Sequence, residues 1–209
     1  MKTVIAVPCM DMVHTAFFTS YNRMERIGET MLMTAQSSLI YDARNRLARA
    51  ALETDADRVL WMDSDTVIPP DMMERLSADL DEGRDYVSAL MFRRNIPTYP
   101  ILYSKVEYET KDGQTSLDVA MVRDWPDDRL FEVGGTGFGV VMMTAELLRR
   151  VSEAAVLPFS PLPGLGEDIA FCWRARQLGY TLWCDPRVQP GHIGVFTYDG
   201  SLYEGRVES

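Results

Sequence analysis

The apolar run Val59-Leu60-Trp61-Met62, followed at once by Asp63-Ser64-Asp65, constrains this chain more than any other stretch. A strand with one wet face alternates apolar and polar residues. An unbroken apolar run instead suits a central strand of a mostly parallel sheet covered on both faces. Residues 3–7 form a second β-branched run, closed by Pro8, and read as a buried first strand. Residues 31–34, 86–91, 140–143 and 181–184 supply further short strands.

Helical signals fall between these strands. Ile40, Ala43, Leu47 and Ala51 recur at helical spacing over residues 38–52, with Ser37 and Ser38 as candidate caps. Pro69-Pro70-Asp71 opens a helix running to about Leu80. Thr144 is placed to cap a helix over residues 145–151, and residues 167–178 read as a helix with Gly179 as its C′ residue. The stretch up to Asn22 reads as loop or loop plus a short helix, and His14 as loop. Residues 99–123 alternate around Lys111-Asp112-Gly113 and predict a hairpin. Strand–helix alternation followed by antiparallel segments predicts an α/β fold with a mixed, mostly parallel central sheet flanked by helices. With 209 residues, 46% of them hydrophobic, the expectation is a single domain over residues 1–195 and an irregular tail over 196–209.

The net charge of −10 disfavours general binding to nucleic acid, because phosphates repel an acidic surface. Only three cysteines occur, with no C-x-x-C pair, so structural zinc is not expected and a reducing compartment is. The apolar run at the start is too short for a signal peptide, and nothing approaches a membrane span. These features predict a cytoplasmic protein.

Five groups of residues carry candidate chemistry. Asp63 and Asp65 stand two apart on an extended segment and point the same way. They supply hard oxygen ligands for one Mn²⁺ or Mg²⁺ that also binds phosphate oxygens. An acidic turn after a strand is the plainer reading. Glu167 and Asp168 open a helix, where acids also favour the dipole; a general base is the functional reading, with Asp168 the better candidate. His192, in Pro190-Gly191-His192-Ile193-Gly194, is a candidate further metal ligand, against the common fate of a surface histidine. Arg44 sits near a helix N-terminus, where a cation opposes the dipole unless an anion lies against it. Gly134-Gly135-Thr136-Gly137-Phe138-Gly139 does not match G-x-G-x-x-G; its glycines let backbone approach a sugar closely, or mark a bulged strand.

Taken in order, Ile5-Ala6-Val7-Pro8, Asp42-Ala43-Arg44-Asn45, Asp63-Ser64-Asp65, Gly134-Gly135-Thr136-Gly137 and Gly166-Glu167-Asp168 through Gly191-His192 resemble the GT-A glycosyltransferases, especially small members similar to family 2. The resemblance implies the GT-A fold and a nucleotide-sugar donor, with UDP favoured over GDP. It implies that Pro8 lines the base and ribose pocket, that Arg44 and Asn45 help hold the nucleotide, and that Gly135 and Gly137 approach the donor sugar. It further implies that Asp63, Ser64 and Asp65 bind the diphosphate through the metal, Asp65 directly, and that His192 is a metal or diphosphate contact. Asp168 would be the base for an unknown hydroxyl acceptor, with Glu167 beside it. The Gln-x-x-Arg-Trp pattern of many family 2 members is missing. A metal-dependent nucleotidyltransferase and an inactive sugar-nucleotide-binding module are the alternative readings.

Overall fold

The central strands of this protein are apolar along most of their length because their two faces serve two separate cores. In the computed structural model, which describes residues 1–95, 97–112 and 114–194, the elements follow in this order. The first half runs β1 (Lys2–Cys9), α1 (Thr15–Arg23), β2 (Glu29–Gln36), α2 (Ile40–Leu52), β3 (Arg58–Met62), β4 (Thr66–Val67), α3 (Met72–Asp81) and β5 (Tyr86–Ala89). Next come β6 (Leu102–Lys111), β7 (Gln114–Met121), β8 (Phe131–Val133), β9 (Gly135–Thr136) and β10 (Val140–Thr144). The chain continues through α4 (Ala145–Ala154), α5 (Glu167–Gln177), β11 (Leu182–Asp185) and β12 (Gly191–His192).

The main sheet has the order β2-β1-β3-β10-β5-β11-β8. Strands β2, β1, β3, β5 and β11 run one way; β10 and β8 run against them. It is the mixed, mostly parallel sheet that the sequence predicts. Period-two alternation then divides the side chains. Val4, Ala6, Val59, Trp61, Val141 and Met143 join a core with α2, α4 and α5. Ile5, Val7, Leu60, Met62, Val140 and Met142 join the opposite core with α1 and α3. At the centre of the first core, Trp61 lies 4.9 Å from the Phe159 ring, and Phe138 meets Phe159 at 5.1 Å and Phe171 at 5.2 Å.

Several local signals act as the sequence implies. The Thr144 hydroxyl accepts a hydrogen bond from the Leu147 N–H and caps α4. Gly179 follows α5 with φ of 89°, a left-handed conformation that suits glycine. The predicted hairpin is β6–β7; Gly113 of its turn lies outside the described residues, as does the tail over 196–209.

Other local expectations are corrected. The N-cap of α2 is Leu39 rather than a serine, and Ser37 instead accepts from the Leu39 N–H ahead of the helix. His14 is no plain loop residue: its Nδ1 accepts from the Ala16 N–H and caps α1. Strand β2 is twice the expected length, because β1 supplies a parallel partner along all of it. The pair β4–β12 and the edge strand β8 are additions.

The interlocked rings make Phe138 the test of this core. Phe138→Ala should cost about 3–5 kcal/mol of stability, read as a lower urea midpoint at unchanged slope. An unchanged midpoint would show that the aromatic cluster does not hold the sheet to α5.

Candidate functional site

The site begins where β3 ends. The Asp63 N–H donates to the Gly139 carbonyl at 2.9 Å, the last tie to the neighbouring strand. The chain then turns, and the Asp63 carbonyl accepts from the Thr66 hydroxyl at 2.8 Å and from its N–H at 3.3 Å. This turn carries Asp63, Ser64 and Asp65 beyond the carboxyl end of β3, where ligands of such sheets bind.

Two basic groups divide the two aspartates between them. Arg44, from the second turn of α2, is only 3% exposed. Its Nη2 donates to Asp63 Oδ1 at 2.8 Å, and its Nη1 to Glu167 Oε1 at 2.7 Å. Its guanidinium also lies 5.3 Å from the Phe138 ring centroid. The anions that explain a cation this early in a helix are therefore the protein's own. Burial opposes the Arg44 charge, yet Asp63, Glu167 and Asp168 together raise its pKa.

Asp65 is held from the other side. Arg94 Nη1 donates to Asp65 Oδ2 at 2.7 Å, and His192 Nε2 lies 3.6 Å from the same oxygen. The short pair β4–β12 sets His192 opposite Thr66, and the Ile193 N–H donates to the Asp65 carbonyl at 2.7 Å. The Phe92 carbonyl stands 2.8 Å from His192 Nδ1 and accepts its proton, which turns Nε2 towards Asp65. The hydrogen bond with Asp65 raises the His192 pKa, with burial opposing. For Asp65, burial pushes upward, but His192 and Arg94 outweigh it and the pKa is lowered.

These residues fit a divalent ion as a two-donor site. Among the described residues no group of three or more His, Cys, Asp or Glu side chains is arranged to hold a metal. Asp65 and His192 are nevertheless close enough for both to reach one ion at about 2.0–2.2 Å from each. Phosphate oxygens and waters complete such sites, as Mg²⁺ commonly requires. The backbone carbonyl behind His192 is the support that metal-binding imidazoles use. Asp63, whose Oδ1 accepts from Arg44, lines the cleft beside this pair.

A cleft of about 340 Å³ opens between the ends of β1, β2 and β3. Pro8, Ser37, Ser38, Asp63, Ser64 and Asp65 line it, and Arg94 closes one side. Four of the sequence-derived contacts thus share one cavity. Four others sit elsewhere. Arg44 lies behind Asp63, enclosed by carboxylates. Asn45 is buried, and its Oδ1 accepts from the Phe159 N–H at 2.9 Å, fixing the loop before α5 instead of facing the cleft. A Cβ on Gly135 would meet Val106, Cys172 and Ile169, and one on Gly137 would lie 2.8 Å from Ile101. The close approach these glycines permit is to the protein's own side chains.

At the start of α5, Asp168 Oδ1 accepts from the Ile169 N–H at 2.7 Å. Burial, and then the charge of Glu167, push the Asp168 carboxyl up to about 6, with Arg44 pulling the other way. Asp168 is half-buried and belongs to the Arg44 side of the site, not to the cleft lining. Arg94, which pairs with Asp65, is a member of the site that the sequence shows only as one of two adjacent arginines.

No family model and no curated protein sequence matches the chain. Solved structures do. Protein A197 from STIV superposes with a TM-score of 0.65 at 19% identity, over 93% of this chain and 87% of that one. GalNAc-T7, solved with UDP, GalNAc and Mn²⁺, superposes with a TM-score of 0.62 at 10% identity, over 99% of this chain. That match spans 46% of the GalNAc-T7 chain. The fold of this chain is the GT-A fold of glycosyltransferases.

Proposed function

We propose that this chain is a metal-dependent glycosyltransferase, moving a sugar from a nucleoside-diphosphate donor, UDP-linked by preference, to an acceptor hydroxyl. The observation that carries the reading is the turn of Asp63-Ser64-Asp65 over the open end of β3. It lines a cleft of about 340 Å³ on one side and meets His192 on the other. Support for the donor class comes from the fold likeness to GalNAc-T7, whose structure holds UDP and Mn²⁺.

The geometry supports the following roles. Pro8, Ser37 and Ser38 enclose the nucleoside end of the donor. Asp65 and His192 hold the cation, and Ser64 contacts the diphosphate. When bound, Mn²⁺ or Mg²⁺ neutralises the charge that builds on the departing diphosphate. Arg94 is half exposed, and its bond to Asp65 can be exchanged for a phosphate oxygen. Asp168 takes the proton of the acceptor hydroxyl as that oxygen attacks the anomeric carbon and the sugar–diphosphate bond breaks. Arg44 acts through others: it holds Asp63 beneath the cleft and keeps Glu167 from rotating onto Asp168.

Titration calorimetry with UDP and GDP, each with Mn²⁺ and with EDTA, tests the reading. Metal-dependent binding of one nucleotide is expected; binding of neither to the folded protein would refute it. Asp65→Ala should abolish metal-dependent binding and leave the circular dichroism spectrum unchanged.

Asp168→Asn should keep nucleotide affinity and lose transfer. In the unaltered protein, the carboxylate form of Asp168 declines as pH falls through about 6, so the transfer rate should fall over the same range. A pH profile flat down to 5 would remove Asp168 as the base.

Arg44→Gln leaves Asp63 and Glu167 facing each other uncompensated. It should lower stability by about 2–4 kcal/mol, discounted for the water that still reaches both carboxylates. Thermal melting at unchanged ionic strength reads the loss.

A further inference from the structure

A second cavity, of about 540 Å³, adjoins the site and takes no part in the roles assigned above. Its wall is a short hairpin in which the Arg93 N–H donates to the Tyr99 carbonyl at 2.9 Å and the Ile101 N–H to the Met91 carbonyl at 2.8 Å. This hairpin is also a partition. Arg94 faces the nucleotide cleft, Phe92 and Arg93 face the second cavity, and the Phe92 carbonyl supports His192 from behind. Whatever fills the second cavity therefore lies one strand away from the Asp65–His192 pair.

The lining is specific in two ways. Phe92, Tyr99 and Trp125 present aromatic surface, with the Phe92 and Trp125 rings edge to face at 6.2 Å and Tyr99 still 47% exposed. Such surfaces take the flat apolar face of a ring. The second feature is charge. The chain carries 31 acidic against 21 basic residues, yet no carboxylate lines this cavity and two arginines do, Arg93 and Arg123. Arg93 donates to the Tyr103 hydroxyl at 3.1 Å, and neither arginine has a carboxylate partner among the described residues. Both guanidinium groups are exposed and available to an anion.

We infer that this cavity is the acceptor subsite of the transferase proposed above, and that the acceptor is an acidic sugar, a pyranose bearing a carboxylate or a phosphate. Its ring packs on Trp125 and Tyr99 while Arg93 and Arg123 receive the anionic group. The inference rests on the transferase reading for the word acceptor, and on the cavity alone for the ligand class. A nucleic-acid strand also offers rings and anions, but the net charge of −10 repels a polyanion and leaves a single anionic group as the better match.

The test uses the whole chain without donor. Glucuronic acid, glucose 6-phosphate and glucose are titrated by calorimetry into the unaltered protein and into the Arg93→Gln, Arg123→Gln double variant. At least one acidic probe should bind saturably, about tenfold or more tighter than glucose, and lose that margin in the double variant. The stronger of the two acidic probes identifies the anionic group as carboxylate or phosphate. Absence of saturable binding by both acidic probes would overturn the inference. So would equal affinity for glucose, an unaffected double variant, or displacement of the acidic probe by an oligothymidylate. UDP with Mn²⁺ is titrated into the same samples. Nucleotide binding unchanged by the double variant separates the two cavities. If acidic probes bind through the arginines while UDP and GDP do not bind at all, the sugar site stands and the transferase reading falls.

Discussion

Arg44 is the interaction on which this site depends. It bonds to both the end of β3 and the start of α5, and it is 3% exposed while doing so. Two carboxylates, with Asp168 close by, concentrate negative charge at the open end of the sheet. Without a buried cation between them, like-charge repulsion would push Asp63 and Glu167 outward or force them to take up protons. The guanidinium suits this task better than an ammonium would, because its planar fork donates to two acceptors in fixed directions. The same side chain holds Asp63 at the cleft wall and draws the Asp168 carboxyl down against the burial and the Glu167 charge that raise it.

Charge is distributed in a pattern that the overall balance of −10 conceals. The buried arginine neutralises the protein's own acids. Arg94 is held on Asp65, and Arg93, next to it in sequence, faces the other cavity. The chain bends at Arg94, just after the bridge of Phe92 to Pro100. Two neighbouring arginines thereby line two cavities.

Much of the fold was legible because the sheet is buried on both faces. A run such as Val59-Leu60-Trp61-Met62 suits a strand covered on both faces, and the caps at Thr144 and Gly179 work through contacts within a few residues. What the sequence concealed were features defined by distant partners. Strands β4 and β12 have two residues each, too few for any periodicity, and exist because each is the other's partner. The α1 cap is a histidine ring, a group outside the usual cap residues. At the site, the turn of Asp63-Ser64-Asp65 was readable from its position after β3. The destinations of its neighbours were not: Arg44 finds its anions on β3 and α5, and Asn45, one residue on, faces the opposite way into the Phe159 loop. A helix turns by about 100° per residue, so sequence neighbours in the Asp42-Ala43-Arg44-Asn45 segment need not share a purpose.

The β4–β12 pair has a consequence for the order of assembly. His192 reaches Asp65 only after the chain has laid down β11, the last strand added to the main sheet, and turned back across its end. The contact is highly non-local, and contacts of that kind are closed late because the intervening loop must first lose its freedom. A partly folded chain would already own its sheet, its two cores and the Arg44 bridge, and still lack the imidazole beside Asp65. The pairing of His192 with Asp65 thus reports that the long-range contacts at the end of the sheet have closed.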